Sequence, residues 1–379
     1  MGQSLERAEL DAPKPNSHAE NPSASEGLGA PETLDDRVYQ REVLPRVSRT
    51  FALTIPQLPP RLADVVSNAY LLCRIADTIE DDPTLNTTLK LEFSERFIAV
   101  VAGQSPATTF ATDLTPRLGR DIPQFERELV AQTAKVVRLT HSYRDTEQAA
   151  LVRCVRIMAE GMAEFQLKAT ANGLNDLAHM DRYCYHVAGV VGELLTVLFC
   201  EHSPGIAAQR GRLESLAVSF GQGLQMTNIL RDIWDDLDRG ACWLPRDHFA
   251  QFGFDLDDLR PDAAQSQRAF HEAVRALVNI AHSHLRDALD YTLLIPRDEA
   301  GIRRFCLWAL GMAVLTLRKV HAHPDFTDAK DVKIARSSVK ATVLVTSALV
   351  QRDRTLRALF KLASLGLDST VARRSPSAL

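Results

Sequence analysis

The chain has 379 residues, of which 45% are hydrophobic and 24% are charged, close to the values of an ordinary globular protein. Its 44 basic and 48 acidic residues give a net charge of −4 at pH 7, which argues against a nucleic-acid-binding protein, since such proteins usually carry a basic surplus. No apolar run reaches the roughly 18–20 residues of a membrane-spanning helix, so the sequence argues against an integral membrane protein.

The first part of the chain differs in composition from the rest. Residues 1–36 are rich in Pro, Ser, Glu, Asn and Gly, and no aromatic residue precedes Tyr39, so they predict a disordered tail. Residues 37–365 carry apolar side chains at helical spacing without sustained alternation, which predicts one all-α domain of many long helices, one of them over residues 181–200. Residues 366–379 predict a flexible C-terminal tail.

An acidic cluster ends one of the predicted helices, over residues 61–82. One face of this helix carries, at spacings of four, three and four residues, Tyr70, Arg74, Asp77 and Asp81. Carboxylates one turn apart repel each other, and the single charge of Arg74 does not neutralise the group. The cluster therefore predicts a cation site, with a solvated acidic helix end before Pro83 as the alternative.

A second acidic cluster lies in the predicted helix over residues 213–238. Its polar face carries, at spacings of three, four and four residues, Gln225, Asn228, Asp232 and Asp236. Each cluster has an arginine close to its carboxylates: Arg74 in the first cluster and Arg231 in the second. Two such faces on one helical domain are a much stronger signal than either alone.

The donor types narrow the chemistry. Carboxylates without nearby His or Cys favour a hard cation over zinc or copper, and Mg²⁺ typically bridges one or two carboxylates to substrate phosphates. The six cysteines are scattered without CxxC pairs, so neither a zinc site nor a disulfide framework is predicted, and a reducing, cytoplasmic location is favoured. The two faces thus predict Mg²⁺ ions that hold a diphosphate leaving group, with charge-assisted hydrogen bonds from Arg49, Arg74 and Arg231.

Five segments, in this order along the chain, resemble motifs of the squalene/phytoene synthase family. The acidic clusters, DTIEDD at 77–82 and NILRDIWDD at 228–236, resemble the two aspartate-rich motifs of the family. The other segments are SRTF at 48–51, YCYHVAGVVG at 183–192 and WLP at 243–245. The likeness runs from about residue 39 to at least residue 320.

This resemblance implies an all-α prenyl-synthase fold with a central cavity between the two aspartate-rich helices. It also implies the head-to-head joining of two prenyl diphosphates, here farnesyl diphosphate, through a cyclopropyl diphosphate. Tyr183 is the implied participant in proton transfer, with a core tyrosine as the alternative. The implied metal ligands are Asp77, Glu80, Asp81, Asn228, Asp232 and Asp236. The implied substrate-binding residues are Ser48, Arg49, Phe51, Tyr70, Arg74, Val187, Gly189, Gln225, Asn228 and Arg231. At Gly189, tight helix packing is the alternative.

Near the C-terminus, residues 302–306 and 332–336 resemble segments of the squalene synthases in the family. The second implies NADPH binding through Lys333 and Arg336, although Ala335 and Ser337 depart from the expected pattern. A solvated basic turn is the alternative, and dehydrosqualene or phytoene synthesis, without reduction, is the alternative function. A terpene cyclase is disfavoured by the motif around Tyr183.

The last apolar and basic stretch, at 343–361, resembles a basic amphipathic helix. It either lies on an anionic membrane or packs on the domain with its bases in solvent. We therefore expect a bacterial type of enzyme in the cytoplasm with at most peripheral membrane contact, and we expect no obligate protein partner.

Overall fold

α-Helices form the architecture of the protein, which confirms the predicted fold class. A computed structural model describes residues 33–168 and 172–367. Within these ranges the only β-type pairing is an isolated bridge between Leu174 and Pro245. The α-helices of this part of the chain are α1 (Leu34–Val47), α2 (Arg49–Thr54), α3 (Pro60–Asp81), α4 (Thr87–Val101), α5 (Ala107–Leu114), α6 (Gln124–Ala131), α7 (Thr133–Ser142), α8 (Asp145–Lys168), α9 (Leu177–Cys184), α10 (Val190–His202), α11 (Pro204–Ala207), α12 (Arg210–Arg231), α13 (Ile233–Asp238), α14 (Arg246–Gln251), α15 (Pro261–Ser266), α16 (Arg268–Leu294), α17 (Ala300–Ala322), α18 (Ala329–Val332), α19 (Arg336–Leu349) and α20 (Asp353–Ala363).

The helices enclose two hydrophobic clusters. One is drawn mainly from the N-terminal half of the chain, and the other mainly from the C-terminal half. Val187 and Phe220 contact both clusters, so they lie at the junction between them. The long helix α12 packs against α10, α16 and α17 and thereby connects the two halves.

Two glycines allow α12 to approach α10 and the residues just before it closely. A Cβ atom at Gly192 would lie 2.1 Å from the carbonyl oxygen of Ala217, and one at Gly221 would lie 2.2 Å from that of Ala188. Neither position has room for a side chain, because the opposing atoms belong to the backbone. These glycines are therefore explained by helix packing.

The first helix begins earlier than the sequence predicts. The Thr33 hydroxyl accepts a hydrogen bond from the Asp36 amide, and the Asp36 carboxylate accepts one from the Thr33 amide. This capping box starts α1 at Leu34, so residues 34–36 belong to the domain and not to the predicted tail. Residues 1–32 and 368–379, which make up most of the two predicted tails, lie outside the described residues.

Two predicted long helices are interrupted at the positions that carry the candidate site. The 213–238 helix breaks at Asp232, although backbone hydrogen bonds from the amides of Asp232 (2.9 Å) and Asp236 (2.8 Å) keep the two parts aligned. The 181–200 helix contains a π-helical turn, Tyr185–Gly189, between α9 and α10. Such turns are frequent at functional sites. The predicted amphipathic helix at 343–361 is two helices, α19 and α20.

Two helical segments are long and apolar enough to cross a membrane, although charged residues interrupt the apolar sequence of each. They are Leu177–His202 and Ala300–Ala322, with mean hydropathies of 1.5 and 1.4. In each segment, more than half of the 18-residue apolar stretch is buried inside the protein, 56% and 61% respectively. Both segments supply buried residues to the hydrophobic clusters, so their apolar character is explained by their place in the core.

Candidate active site

The first acidic motif lies at the end of α3, where Arg74 connects three elements. The Tyr70 hydroxyl accepts hydrogen bonds from Arg74 Nε (3.3 Å) and Nη2 (3.0 Å), and it donates to the carbonyl oxygen of Val47 (3.0 Å). Arg74 Nη1 lies 3.9 Å from the Asp77 carboxylate and 3.8 Å from that of Glu126 on α6. Tyr70 therefore orients Arg74, and Phe51 packs on the Tyr70 ring at a centroid distance of 4.9 Å.

The surroundings of Asp77 and Asp81 in this motif disfavour the charged form of their carboxyl groups. Burial raises the pKa of Asp77 to about 7, with a further increase from the charges of Asp81 and Glu126 and an opposing decrease from Arg74. Burial likewise raises the pKa of Asp81, against the charges of Arg239, Arg74 and Lys90. Such carboxylates favour a cation that the polypeptide alone does not supply in full.

The other acids of the motif have separate roles. Asp82 is fully buried, and its carboxylate accepts hydrogen bonds from the Thr84 amide (2.8 Å) and the Gly119 amide (2.7 Å). It therefore fixes the turn after α3 and is not available to a ligand. Glu80 is half-buried, and its backbone carbonyl accepts a hydrogen bond from Lys90.

The second acidic motif spans the break between α12 and α13. Arg231 donates to the Asp232 carboxylate from Nε (2.7 Å) and Nη2, and Arg239 donates to the Asp236 carboxylate. Burial raises the pKa of Asp236 to about 6, opposed by Arg239 and assisted by the charges of Asp232 and Asp81. The influence of Asp81 on Asp236 indicates that the two motifs face each other. Asn228 and Gln225 lie one and two turns before Asp232, and the Asn228 amide donates to Gln225 Oε1 at 3.5 Å.

Tyr183 lies close to both motifs, since charges from each act on its hydroxyl. Its ring stacks on that of Trp243 at a centroid distance of 4.0 Å and an interplanar angle of 7°, and Phe165 packs edge-on against it. Burial raises the pKa of its hydroxyl well above the usual range, and the charges of Glu80, Asp236 and Asp81 raise it further. The phenol is thus held neutral, beside both acidic motifs.

Other predicted substrate-binding residues have visible structural roles. The Ser48 hydroxyl caps α2 by accepting a hydrogen bond from the Phe51 amide (3.0 Å). Gly189 ends the π-helical turn, where a Cβ would lie 3.1 Å from the side chains of both Tyr185 and Val218, which is close packing. Val187 lies in the same turn. Arg49 is the first residue of α2, and its side chain lies outside the described part of the structure.

The predicted nicotinamide segment lies near the second motif but on the surface. Lys333 and Arg336 are exposed, and the Lys333 carbonyl accepts a hydrogen bond from Lys319 (2.6 Å). The Trp234 indole, inside the second motif, donates to the Phe326 carbonyl (2.7 Å), and α13 packs against α18. The structure thus brings the segment next to α13 without joining its two bases to the acidic faces.

Sequence reasoning missed three charged residues that the fold adds to the site. Glu126 arrives on α6, Lys90 on α4, and Arg239 at the end of α13. Only Arg239 had a local signal, since it follows Asp236 at the i, i+3 spacing of a helical ion pair. The other two are brought in by packing of elements that are separate in sequence.

The donor set fits a hard divalent cation that is shared with a substrate. Within residues 33–168 and 172–367, no three His, Cys, Asp or Glu side chains converge into a ready-made metal site. The six predicted ligands therefore do not form a protein-only cage. Mg²⁺ commonly binds through one or two carboxylates and completes its coordination with phosphate oxygens and water. Two facing carboxylate pairs satisfy that requirement when a diphosphate lies between them.

Comparisons with known proteins agree with this arrangement. Residues 44–338 match the family model described as squalene/phytoene synthase. A squalene synthase of Candida albicans is 30% identical over 324 residues, which cover 85% of this chain and 68% of that protein. A squalene synthase of Yarrowia lipolytica is 30% identical over 310 residues, covering 81% and 66%.

Solved structures show the same fold. A structure of TcSQS with the ligand BPH1237 superposes with a TM-score of 0.70 at 24% identity and covers 89% of this chain and 94% of that one. A dehydrosqualene synthase in complex with a ligand superposes with a TM-score of 0.59 at 20% identity and covers 86% and 97%. The all-α architecture is therefore shared with these enzymes.

Proposed function

Because the chain belongs to the squalene/phytoene synthase family, we propose that it joins two molecules of farnesyl diphosphate head to head and reduces the product with NADPH to squalene. The intermediate is presqualene diphosphate, a cyclopropyl compound. The observation that carries the proposal is the pair of facing acidic motifs with the neutral Tyr183 hydroxyl beside both. The names of the relatives, squalene synthases, support the same reaction.

In the first half of the reaction, the diphosphate of one substrate molecule binds between the acidic motifs. Mg²⁺ held there by the motif carboxylates would neutralise the leaving diphosphate. Arg74 and Arg231 donate charge-assisted hydrogen bonds to its oxygens, and Tyr70 keeps Arg74 in position. Cleavage of the carbon–oxygen bond leaves an allylic cation and a free diphosphate. The surrounding apolar side chains exclude water, which would otherwise trap the cation as an alcohol.

Tyr183 acts in the step that closes the cyclopropane ring. The double bond of the second farnesyl diphosphate attacks the allylic cation, and a proton must then leave carbon. Since burial raises the pKa of the Tyr183 hydroxyl, the phenol stays protonated at neutral pH and is a poor free base. It serves as a relay, accepting the substrate proton while it donates its own proton to the released diphosphate.

The second half of the reaction requires hydride from NADPH. Lys333 and Arg336 would bind its phosphates, and their segment lies near α13 through the contact of α13 with α18. Ala335 and Ser337 depart from the sequence pattern expected of the NADPH-binding segment. These departures favour the second candidate function, synthesis of dehydrosqualene without reduction.

One incubation separates these functions. With farnesyl diphosphate and Mg²⁺, we expect squalene only when NADPH is present. Lys333→Ala combined with Arg336→Ala should slow the reduction about tenfold or more, because two phosphate contacts are lost, and presqualene diphosphate should accumulate. The control is Lys330→Ala, which removes a neighbouring lysine that is 85% exposed and paired with Asp328. If dehydrosqualene forms both with and without NADPH, the second function is correct and squalene synthesis is wrong. If no hydrocarbon is released, both proposed functions are wrong.

We also propose that α19 and α20 contact the surface of an anionic membrane, where the hydrocarbon product is delivered. Residues 336–367 contain six basic residues and one acidic residue in a chain whose net charge is −4. Leu344 is 71% exposed, and Leu362 and Leu365 are each 60% exposed. Exposed leucines beside several bases are typical of helices that lie in a membrane interface.

Vesicle binding tests the membrane contact. Leu344→Ser with Leu362→Ser should weaken binding to phosphatidylglycerol vesicles about tenfold in a flotation assay, because two exposed apolar side chains no longer enter the interface. Leu34→Ser is the matched control, since Leu34 is 78% exposed and belongs to α1, not to the basic helices. Equal binding by all three proteins would contradict the contact.

A further inference from the structure

Arg239 is a cation in the candidate site that belongs to neither acidic motif. It follows the last residue of α13, and its guanidinium donates to the Asp236 carboxylate. The Arg239 side chain is 59% exposed, whereas that of Asp236 is 13% exposed. The arginine therefore reaches from the surface to a carboxylate that is largely enclosed. Gly240, with φ of 79°, turns the chain directly after it.

The charge of Arg239 acts on both motifs. Among the charges that lower the pKa of Asp81, that of Arg239 has the largest effect, followed by those of Arg74 and Lys90. Burial lowers the pKa of Arg239, but the hydrogen bond to Asp236 and the charges of Asp236, Asp81 and Asp232 raise it overall. The guanidinium thus lies where the carboxylates of α3 and α13 face each other.

The other arginines of the site are tied to neighbours in a different way. Arg74 is held by Tyr70, and Arg231 is bound to the adjacent Asp232 from two of its nitrogens. The Arg239 side chain is 59% exposed, against 26% for Arg74 and 37% for Arg231, and it follows a helix of only six residues. This exposure distinguishes Arg239 as the counter-ion that an incoming cation is able to replace.

We propose that Arg239 is the resident counter-ion of the metal-free site, that divalent cations displace it from Asp236, and that it then donates to the diphosphate those cations hold. This inference rests on the proposed function. It predicts opposite effects of Arg239 on two ligands: the arginine competes with a metal ion that binds alone, and it assists a metal ion that binds together with diphosphate. A residue with only a structural role would affect both in the same direction.

The test measures Mn²⁺ binding to the full chain by electron paramagnetic resonance, with and without inorganic pyrophosphate. Arg239→Gln should tighten binding of Mn²⁺ alone roughly five- to tenfold, because a competing charge is gone. In the presence of pyrophosphate, the same variant should bind the metal and anion together roughly tenfold more weakly, because a charge-assisted hydrogen bond is lost. Arg239→Lys keeps the charge and should stay close to the wild type for Mn²⁺ alone.

Arg268→Gln is the matched surface control, since Arg268 is 90% exposed and paired with Glu272 on α16. It should leave both affinities unchanged. If Arg239→Gln weakens Mn²⁺ binding in both conditions, or changes neither, the counter-ion role is wrong while the metal site stands. The proposed function fails together with this inference if the wild type binds no Mn²⁺. It also fails if neither Asp81→Asn nor Asp232→Asn reduces the binding.

Discussion

Asp77→Asn is expected to abolish turnover and, at the same time, to make the metal-free protein more stable. Burial and the nearby charges of Asp81 and Glu126 raise the pKa of Asp77 to about 7, so its charged form is disfavoured in the fold. The amide keeps the shape of the side chain but carries no charge. We expect kcat/KM to fall roughly 10³-fold, as when a charge-stabilising group is removed from an active site. The Asp77 side chain is 32% exposed, so solvent screens its charge in the folded protein. We therefore expect Asp77→Asn to raise the free energy of unfolding by only about 1 kcal/mol.

The stability gain has a definite dependence on pH. A carboxyl group whose pKa is raised on folding binds protons more tightly in the folded state than in the unfolded state. The stabilising contribution of its neutral form is complete below about pH 4 and is lost as the pH rises through about 7. The melting temperature of Asp77→Asn should therefore exceed that of the wild type most clearly at pH 8, and the difference should shrink towards pH 5.

Calorimetry in the presence of EDTA and an assay of released diphosphate measure the two effects separately. Asp262→Asn is the control, because it removes a carboxylate that is 82% exposed on the surface helix α15. It should change neither activity nor stability. Wild-type turnover by Asp77→Asn would eliminate Asp77 from the diphosphate site, and a lower melting temperature at pH 8 would show that the carboxylate stabilises the fold.

The faces of the acidic helices could be predicted from the sequence because helical periodicity is a local property. Arg74 contacts Tyr70 and approaches Asp77 within a single helix, so spacing alone brings them together. The overall all-α class is predicted by the same periodicity, and the structure confirms it. Element boundaries were less predictable: the break at Asp232 and the π-helical turn leave the apolar pattern almost unchanged.

Contacts between distant segments could not be predicted in this way. Glu126 reaches Arg74 from α6, and the Trp243 ring covers Tyr183 from the loop after α13. Both depend on how helices pack, which no spacing within one helix encodes. Arg303 shows the same limit more sharply: it borders an apolar stretch and has the sequence pattern of a solvated flanking charge, yet its side chain is 0% exposed.

The buried Arg303 leads to the second prediction, that Asp353→Ala destabilises the protein by about 3–5 kcal/mol. Arg303, on α17, donates to the Asp353 carboxylate at the start of α20. Its Nε and Nη1 atoms have no hydrogen-bond partner among the described residues, so Asp353 is its counter-ion. Removing the carboxylate would leave a charged guanidinium buried without a partner. Burial raises the pKa of Asp353, but hydrogen bonds from Arg303 and Arg297 lower it overall, so the contribution of the pair should be lost as the pH falls below about 4.

The loss should be concentrated at α20, and it should be reversible by a second substitution. Arg297, the second partner of Asp353, has a side chain that is 66% exposed. Arg297→Ala removes only this exposed partner and should lower the free energy of unfolding by less than about 1 kcal/mol. Arg303→Met in the Asp353→Ala background removes the stranded charge and restores an apolar side chain of similar length, so most of the stability should return. Thermal unfolding gives the totals, and hydrogen exchange along residues 353–363 shows whether α20 detaches before the core. If Asp353→Ala is no more harmful than Arg297→Ala, or if the methionine gives no rescue, the ion pair does not hold α20 to the domain.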